Sequence, residues 1–579
     1  MAPRTLLATR PRTLALPLAI ALAVALPAAG AAQARTAPAD TADALPVHRP
    51  DFAARVDSLF DRWRGTDRPG CAVGVGHRGR VVLERGYGMA DLESAAPMTP
   101  ATVVHAASLA KSVTAYAVLL LERDGKLSLD DDVRRHVPEL PDYGHRITIR
   151  HLLTHTSGLR DFFELLILAR GRFEEDRITD ADAMAMIARQ RTVDFAPGTE
   201  HQYVNTGYLL AAHVVARVSG QPFASFVTSR ILAPLGMSHT RLRDDVATLV
   251  PGRAVGYARR GAGWRTSVPN FDVVGSTNLE TTVGDLLRWG AHLDHPAPDD
   301  AALVRRMHAP GVLANGDTLA YGLGLALARD RGLTVAEHEG RDPGFRAYLG
   351  RWMEPALTVA LLCNAAALDP VGLGHAVADL ALGPRPTPSP PPAATAAVAP
   401  DQTRTLAWAG VYLDPGTRQV VEFTARDGVL YNRRDGGERI EALDARRARI
   451  VGVPLELAFG DGAHPGFRVR WFAPGRRVDT FVWQAPVAPV LDRAALATYA
   501  GAYASRELDA TYRVEVHDST LVLRTGATPG LVARAVFRDA FVSGQYTIRF
   551  TRRGGRVAGF EISHPRARGV AFVRTDGAR

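Results

Sequence analysis

Lysine is almost missing from this chain. Of 69 Lys plus Arg residues among 579, only Lys111 and Lys126 are lysine. Cysteine is as scarce, with Cys71 and Cys363 alone, which rules out a disulfide framework. The favoured reading of that pair is two small buried side chains, with a single bridge as the alternative. No G-x-S-x-G elbow is present, which disfavours an α/β-hydrolase, and no H-E-x-x-H pattern marks a zinc site. His151 and His155 stand four apart but lack an acidic third ligand, so they are read as structural, and no metal or cofactor is expected. A net charge of +9 would suit nucleic acid. The arginines are spread along the chain, however, without a zinc-finger, RRM-type or basic-arm motif. The charge is therefore read as solvated surface, and no nucleic-acid partner is expected.

Apolar runs long enough to cross a membrane are also missing beyond residue 34. Before it, Arg4, Arg10 and Arg12 precede an apolar stretch from Leu14 to Leu26 and then Ala32-Gln33-Ala34. That order reads as a Sec-type signal peptide over residues 1–34. Pro27 and Gly30 favour cleavage over an uncleaved anchor, and no cysteine before Cys71 offers a lipid attachment point. The expectation is a soluble protein, periplasmic or secreted, with no stable membrane insertion after cleavage.

What remains is ordinary globular composition, 46% apolar and 22% charged, in a chain long enough for three or four domains. Helical spacing runs from Asp51 to Arg64 (Phe52, Val56, Leu59, Phe60, Trp63). Two strand-like runs, CAVGVGH and RVVLERGYG, flank Arg78-Gly79 as a hairpin turn. Helical patterns follow at 106–123, 150–156, 181–190, 206–219, 223–232 and 281–294. Strands return at 333–337, 345–352 and 357–363, and a helix at 370–381 closes the region. Residues 47–383 thus read as one α/β (α+β) domain around an antiparallel sheet.

A Pro/Ala-rich linker occupies 384–402, after which short alternating strands and Gly turns take over. Trp408-Ala-Gly-Val-Tyr412 recurs as Tyr499-Ala-Gly-Ala-Tyr503. This repeat implies two small all-β, barrel-like or sandwich domains at 403–490 and 491–579, with one larger β-domain as the alternative.

The chemistry begins at Ser108. In Ser108-Leu109-Ala110-Lys111 the lysine stands three residues on, so a helix puts both side chains on one face. A serine hydroxyl is a weak nucleophile until a neighbour takes its proton. Lysine can do so when its environment favours the neutral amine, whereas arginine cannot be deprotonated in a protein. In a chain that otherwise uses arginine, Lys111 stands where only lysine would act as a base. Lys126, after a helix-ending Gly125 and before an acidic loop, reads as a solvated charge.

Ser108-x-x-Lys111, then Tyr203-Val204-Asn205, then His338-Glu339-Gly340 is an order that resembles the penicillin-recognising serine hydrolases. These include class C β-lactamases, DD-carboxypeptidases, and esterase and D-aminopeptidase relatives. Ser276-Thr277-Asn278 competes for the middle motif by pattern. Its neighbours TTVGDLLRW look like a later structural helix, so Tyr203 and Asn205 are preferred. His77-Arg-Gly79 and His464-Pro-Gly466 compete for the third; only His338 leads into paired strands through Asp342-Pro343-Gly344-Phe345. The segment ITIRHLLTHTSGL (147–159) is also similar to the family.

The resemblance covers about residues 50–383 and implies a five-stranded antiparallel sheet with a helical subdomain. It implies that Lys111 and Tyr203 manage protons around a Ser108 nucleophile. Asn205, His338, Gly340 and Arg341 would bind substrate, with the Ser108 and Arg341 backbone N–H groups as an oxyanion hole. It also makes the first and last strands antiparallel neighbours, which would bring Cys71 toward Cys363; a bridge is the less favoured outcome there. Histidine at 338, where β-lactamases usually carry lysine, is mostly neutral near pH 7 and weakens the case for β-lactam hydrolysis. Relatives with His-x-Gly include esterases and D-aminopeptidases, the latter with two C-terminal β-barrels. The expected activity is therefore that of an exported serine acyl hydrolase on a small ester, amide or D-residue peptide. A β-lactamase or DD-carboxypeptidase, and a non-catalytic penicillin- or peptidoglycan-binding sensor, are the alternatives.

Overall fold

The computed structural model describes residues 45–575 except 173, 385–405, 434–436, 452–454, 463–464, 472–478, 486–490 and 527. The signal peptide, nearly all of the linker and His464 lie outside the described residues.

The run CAVGVGH explains the centre of the first domain. Strand side chains alternate between faces, so Val73 and Val75 point one way and Gly74 and Gly76 the other. The valine face packs in a core with Phe52, Val56, Val377 and Ala378, from the helices Phe52–Leu59 and Pro370–Leu382. On the glycine face the helix Val283–Asp294 lies close. A Cβ on Gly74 would come within 3.1 Å of both Leu287 and Val283 side chains. Arg78 and Gly79 both take positive φ and turn strand Cys71–His77 into strand Arg80–Tyr87, as a two-residue hairpin requires.

The sheet order is Ala326–Asp330, Leu333–Asp342, Phe345–Trp352, Leu357–Cys363, Cys71–His77, Arg80–Tyr87, with every pair antiparallel. That is one strand more than expected. The addition, Ala326–Asp330, pairs with Leu333–Asp342 only as far as Ala326 opposite Glu337. Residues 338–342 therefore run past the end of their outer neighbour and form an edge, where the site is built.

The cysteines correct the sequence reading. Cys71 and Cys363 face each other directly in the register of the first and last strands, with Cα atoms 4.0 Å apart, and are joined by a disulfide. Directly opposed positions on neighbouring antiparallel strands send both side chains to the same face, which brings the two sulfurs within reach of each other.

Helices Ala110–Arg123, Ile149–Leu153, Asp180–Arg189 and Asn205–Ser219 fill the expected places, and Phe223–Val227 continues as a π-helical turn, Thr228–Leu232. Phe162–Arg170 and Ala301–Met307 are helices that the sequence reading left out.

Beyond the linker, strands from Gly410 to Gln484 close one eight-stranded antiparallel barrel, and strands from Gly501 to Arg574 close a second. The internal repeat has a structural meaning. The Tyr412 hydroxyl donates to the Trp408 carbonyl at 2.8 Å, and the Tyr503 hydroxyl to the Tyr499 carbonyl at 2.7 Å. Each copy thus ties the start of its barrel back by one turn. The barrels form one compact unit, packed through Val411, Leu413 and Val420 against Val536, Phe537 and Ala540. An Arg418–Glu561 pair at 2.9 Å joins them at the rim.

Candidate active site

Ser108 sits in a short 3-10 turn, Ala107–Leu109, which runs straight into helix Ala110–Arg123. It is half-buried, whereas Lys111, one turn on, is fully buried. The Lys111 Nζ donates to the Ser108 Oγ at 2.9 Å, to the Asn205 Oδ1 at 2.9 Å and to the Ser276 carbonyl at 2.7 Å. Three acceptors match the three protons of an ammonium. The amine is thus aimed, and its line to the nucleophile is the one through which a proton can pass. The Nζ also lies 4.9 Å from the Tyr203 ring centre, within cation–π range.

Asn205 opens helix Asn205–Ser219, and its amide is oriented from behind. The Nδ2 donates to the Asp161 Oδ2 at 3.0 Å, so the Oδ1 must face the ammonium. Asp161 is itself fully buried and caps helix Phe162–Arg170 by accepting the Phe163 N–H at 3.0 Å. Tyr203 is half-buried, its ring centre 4.2 Å from that of His155. The His155 Nδ1 accepts the Val204 N–H at 3.2 Å, fixing the backbone between Tyr203 and Asn205. His151 completes a capping box with Thr148. Both histidines therefore do backbone work.

His338 lies on the edge segment. Its Nδ1 is 2.6 Å from the Glu339 carbonyl, which can only accept, so Nδ1 carries the proton. The Nε2 then accepts from the Tyr321 hydroxyl at 3.1 Å. Burial, reinforced by the positive charge of Lys111, pushes the imidazole pKa down to about 3. His338 is thus neutral, with both nitrogens engaged by the protein. Gly340 is required: a Cβ there would lie 2.3 Å from the Ala106 carbonyl oxygen, so only glycine lets this strand rest against the segment before Ser108. The Arg341 side chain turns to Glu339, Nε to Oε2 at 2.8 Å.

Of the residues singled out in the sequence, Ser108, Lys111 and Asn205 are joined by hydrogen bonds. Tyr203 and His338 flank them, with ring centres 6.0 Å apart, and Gly340 packs behind the serine turn. The competing Ser276-Thr277-Asn278 stretch contributes too, through its backbone: the Ser276 carbonyl holds Lys111. Asp161 and Tyr321 were missed. The Asp161-x-x-Glu164 spacing is a helix-start signal that could have marked the first; Tyr321 carries no local signal. The competing His77 closes the hairpin opposite Arg80.

The Beta-lactamase family profile matches residues 55–382, more than half of the chain. A D-aminopeptidase of Cereibacter sphaeroides is 27% identical over 537 residues, covering 90% of this chain and 98% of that protein. A D-aminopeptidase of Gluconobacter oxydans is 30% identical over 312 residues, 54% of this chain and 58% of that protein. Among solved structures, the octameric penicillin-binding protein homologue from Pyrococcus abyssi shares the fold with a TM-score of 0.53 at 23% identity, over 74% of this chain and 99% of that one. With the profile spanning all six strands of the sheet and the helices between them, this chain belongs to the beta-lactamase family and is a serine hydrolase of that family.

Proposed function

We propose that this chain is an exported hydrolase that opens an ester or amide bond through an acyl-enzyme on Ser108, with D-residue peptides as the preferred amides. The observation that carries the reading is the 2.9 Å contact between the buried Lys111 Nζ and the Ser108 Oγ. Lys111 acts as the base once the ammonium has given up one proton. Its two remaining N–H groups hold the Asn205 Oδ1 and the Ser276 carbonyl, and its lone pair takes the hydroxyl proton as Oγ attacks the carbonyl carbon. The oxyanion then draws on the Ser108 and Arg341 backbone N–H groups. The proton passes, by way of Lys111 and Tyr203, to the departing alcohol or amine. Water then gives its proton to the same base as its oxygen bonds to the acyl carbon. The C–Oγ bond breaks, the acid leaves, and the proton returns from the base to the Ser108 Oγ. Asn205 keeps Lys111 aimed.

Two further observations support the finer reading. The Cereibacter relative, a D-aminopeptidase, aligns over 90% of this chain and so extends into the barrels. His338 is neutral and hydrogen-bonded on both nitrogens, so it offers no cation to a substrate carboxylate, which speaks against β-lactams and C-terminal carboxypeptide substrates. Export is supported by the N-terminal pattern and by the Cys71–Cys363 bridge, since structural disulfides persist in oxidising compartments. A panel of a D-alanyl p-nitroanilide, p-nitrophenyl acetate and nitrocefin tests the reading. Turnover of the first two with nitrocefin untouched is expected; nitrocefin as the best substrate would overturn it.

A further inference from the structure

A buried array of charged groups behind the site is not used in the mechanism above. The His105 Nε2 lies 2.7 Å from the Asp342 Oδ2, and that same oxygen accepts from the Thr277 hydroxyl. On its other side, the His105 Nδ1 is 3.5 Å from the Glu280 Oε1, within ion-pair range though long for a hydrogen bond. Glu280 is fully buried and is held by Arg243 at 3.3 Å and Arg253 at 3.2 Å. Burial alone would push the His105 pKa down, but Asp342 and Glu280 outweigh it and hold the pKa up.

What the array connects is more telling than its charge. His105 stands three residues before Ser108, at the end of a short strand paired with Leu279–Thr281. Thr277 adjoins Ser276, whose carbonyl holds Lys111. Asp342 adjoins Arg341, and its strand rests on Ala106 through Gly340. One carboxylate oxygen therefore joins the three segments that supply the nucleophile, the lysine anchor and the edge strand. Ala107, directly before Ser108, takes φ +48°, a conformation that costs energy for a residue with a Cβ and persists only where its surroundings fix it. The Ala106 N–H, bonded to the Leu279 carbonyl at 2.7 Å, and the array beneath it supply that constraint.

We propose that Asp342, acting through His105 and Thr277, is a positioning residue that sets the spacing between the Ser108 backbone N–H, the Arg341 backbone N–H and the carbonyl that aims Lys111. This rests on the serine-hydrolase reading. Misplacement of reacting groups by about 1 Å can cost about a hundredfold in rate without weakening ground-state binding.

The test uses the full chain and a fluorophosphonate probe, separating the rate of covalent capture (kinact) from probe binding (KI), with thermal midpoints recorded. Asp342→Asn should lower kinact by roughly 10–100-fold with KI within about threefold of wild type. Thr277→Val, which keeps the shape and removes the hydroxyl, should lower kinact by roughly 3–10-fold, and Thr277→Ser should recover most of that loss. A folded Asp342→Asn protein with wild-type kinact would overturn the proposal, as would a Thr277→Ser protein as slow as Thr277→Val. If Asp342→Asn does not fold, Thr277→Val decides alone, and unchanged kinact in that variant sinks the idea. Absence of capture in the wild type would instead remove the serine-hydrolase reading, and the proposal with it.

Discussion

The Asp161 carboxylate grips Asn205 twice through one oxygen, at the backbone N–H (2.5 Å) and at the side-chain Nδ2 (3.0 Å). It thereby decides which end of the Asn205 amide meets Lys111. Asp161→Ala would strand several buried donors, each costing about 1–3 kcal/mol. The expected outcome is a lower thermal midpoint together with a loss of Ser108 reactivity. Calorimetry and probe labelling on the same preparation check this. A variant with normal stability and normal reactivity would show that Asn205 is oriented some other way.

Gly340→Ala places a methyl 2.3 Å from the Ala106 carbonyl, where backbone must move. The edge strand would be pushed away from Ser108, and the cost of such overpacking is about 1–3 kcal/mol. Reactivity at Ser108 should fall by at least about tenfold even where the protein stays folded. Wild-type kinetics would mean that the strand can retreat without disturbing the site.

His375 gives a pH signature remote from catalysis. Its Nε2 is 3.0 Å from the Glu337 Oε2 and its Nδ1 3.7 Å from the Asp330 Oδ2. Burial opposes its charge, yet these two carboxylates raise its pKa from 6.5 to about 9. A folded-state pKa above the unfolded one means that the stabilisation is complete below pH 6.5 and is lost as pH rises through about 9. The difference is worth at most about 3 kcal/mol. Thermal midpoints of wild type and His375→Gln should differ most at pH 6 and converge near pH 10. Parallel curves would contradict the assignment.

Cys71 and Cys363 close a loop with a sequence separation of 292 residues, so the bridge restricts the unfolded chain strongly. Reduction, or Cys71→Ser with Cys363→Ser, should cost about 2–5 kcal/mol. Thiol titration of the denatured protein from an oxidising compartment should find no free thiol; two free thiols would show that the cysteines are unbridged.

How much of this was readable beforehand depended on whether the signal was local. Ser108 and Lys111 stand out because lysine is so scarce, and Tyr203 and Asn205 because Tyr-x-Asn at the start of a helix is similar to the family's second motif. Strand CAVGVGH shows its two faces in its own alternation. The disulfide was open as the less favoured alternative, because it depends on the register of strands 292 residues apart. The Asp161-x-x-Glu164 spacing marks at most a helix start and says nothing of burial, which emerges only when Asn205 folds over the carboxylate. Strand Ala326–Asp330 is too short for its alternation to decide between strand and turn. Asp342, His105 and Thr277 lie far apart in sequence, and only the fold brings them to one oxygen.

The measurement that bears most directly on the whole account is covalent capture of Ser108 by a fluorophosphonate, located by peptide mass mapping, in wild type, Ser108→Ala and Lys111→Arg. The account predicts one adduct, on Ser108, absent in Ser108→Ala. In Lys111→Arg, where the replacement cannot give up a proton, capture should be slower by roughly 10²–10⁴-fold. No adduct in the wild type, an adduct on another residue, or a Lys111→Arg protein that reacts at the wild-type rate would contradict it.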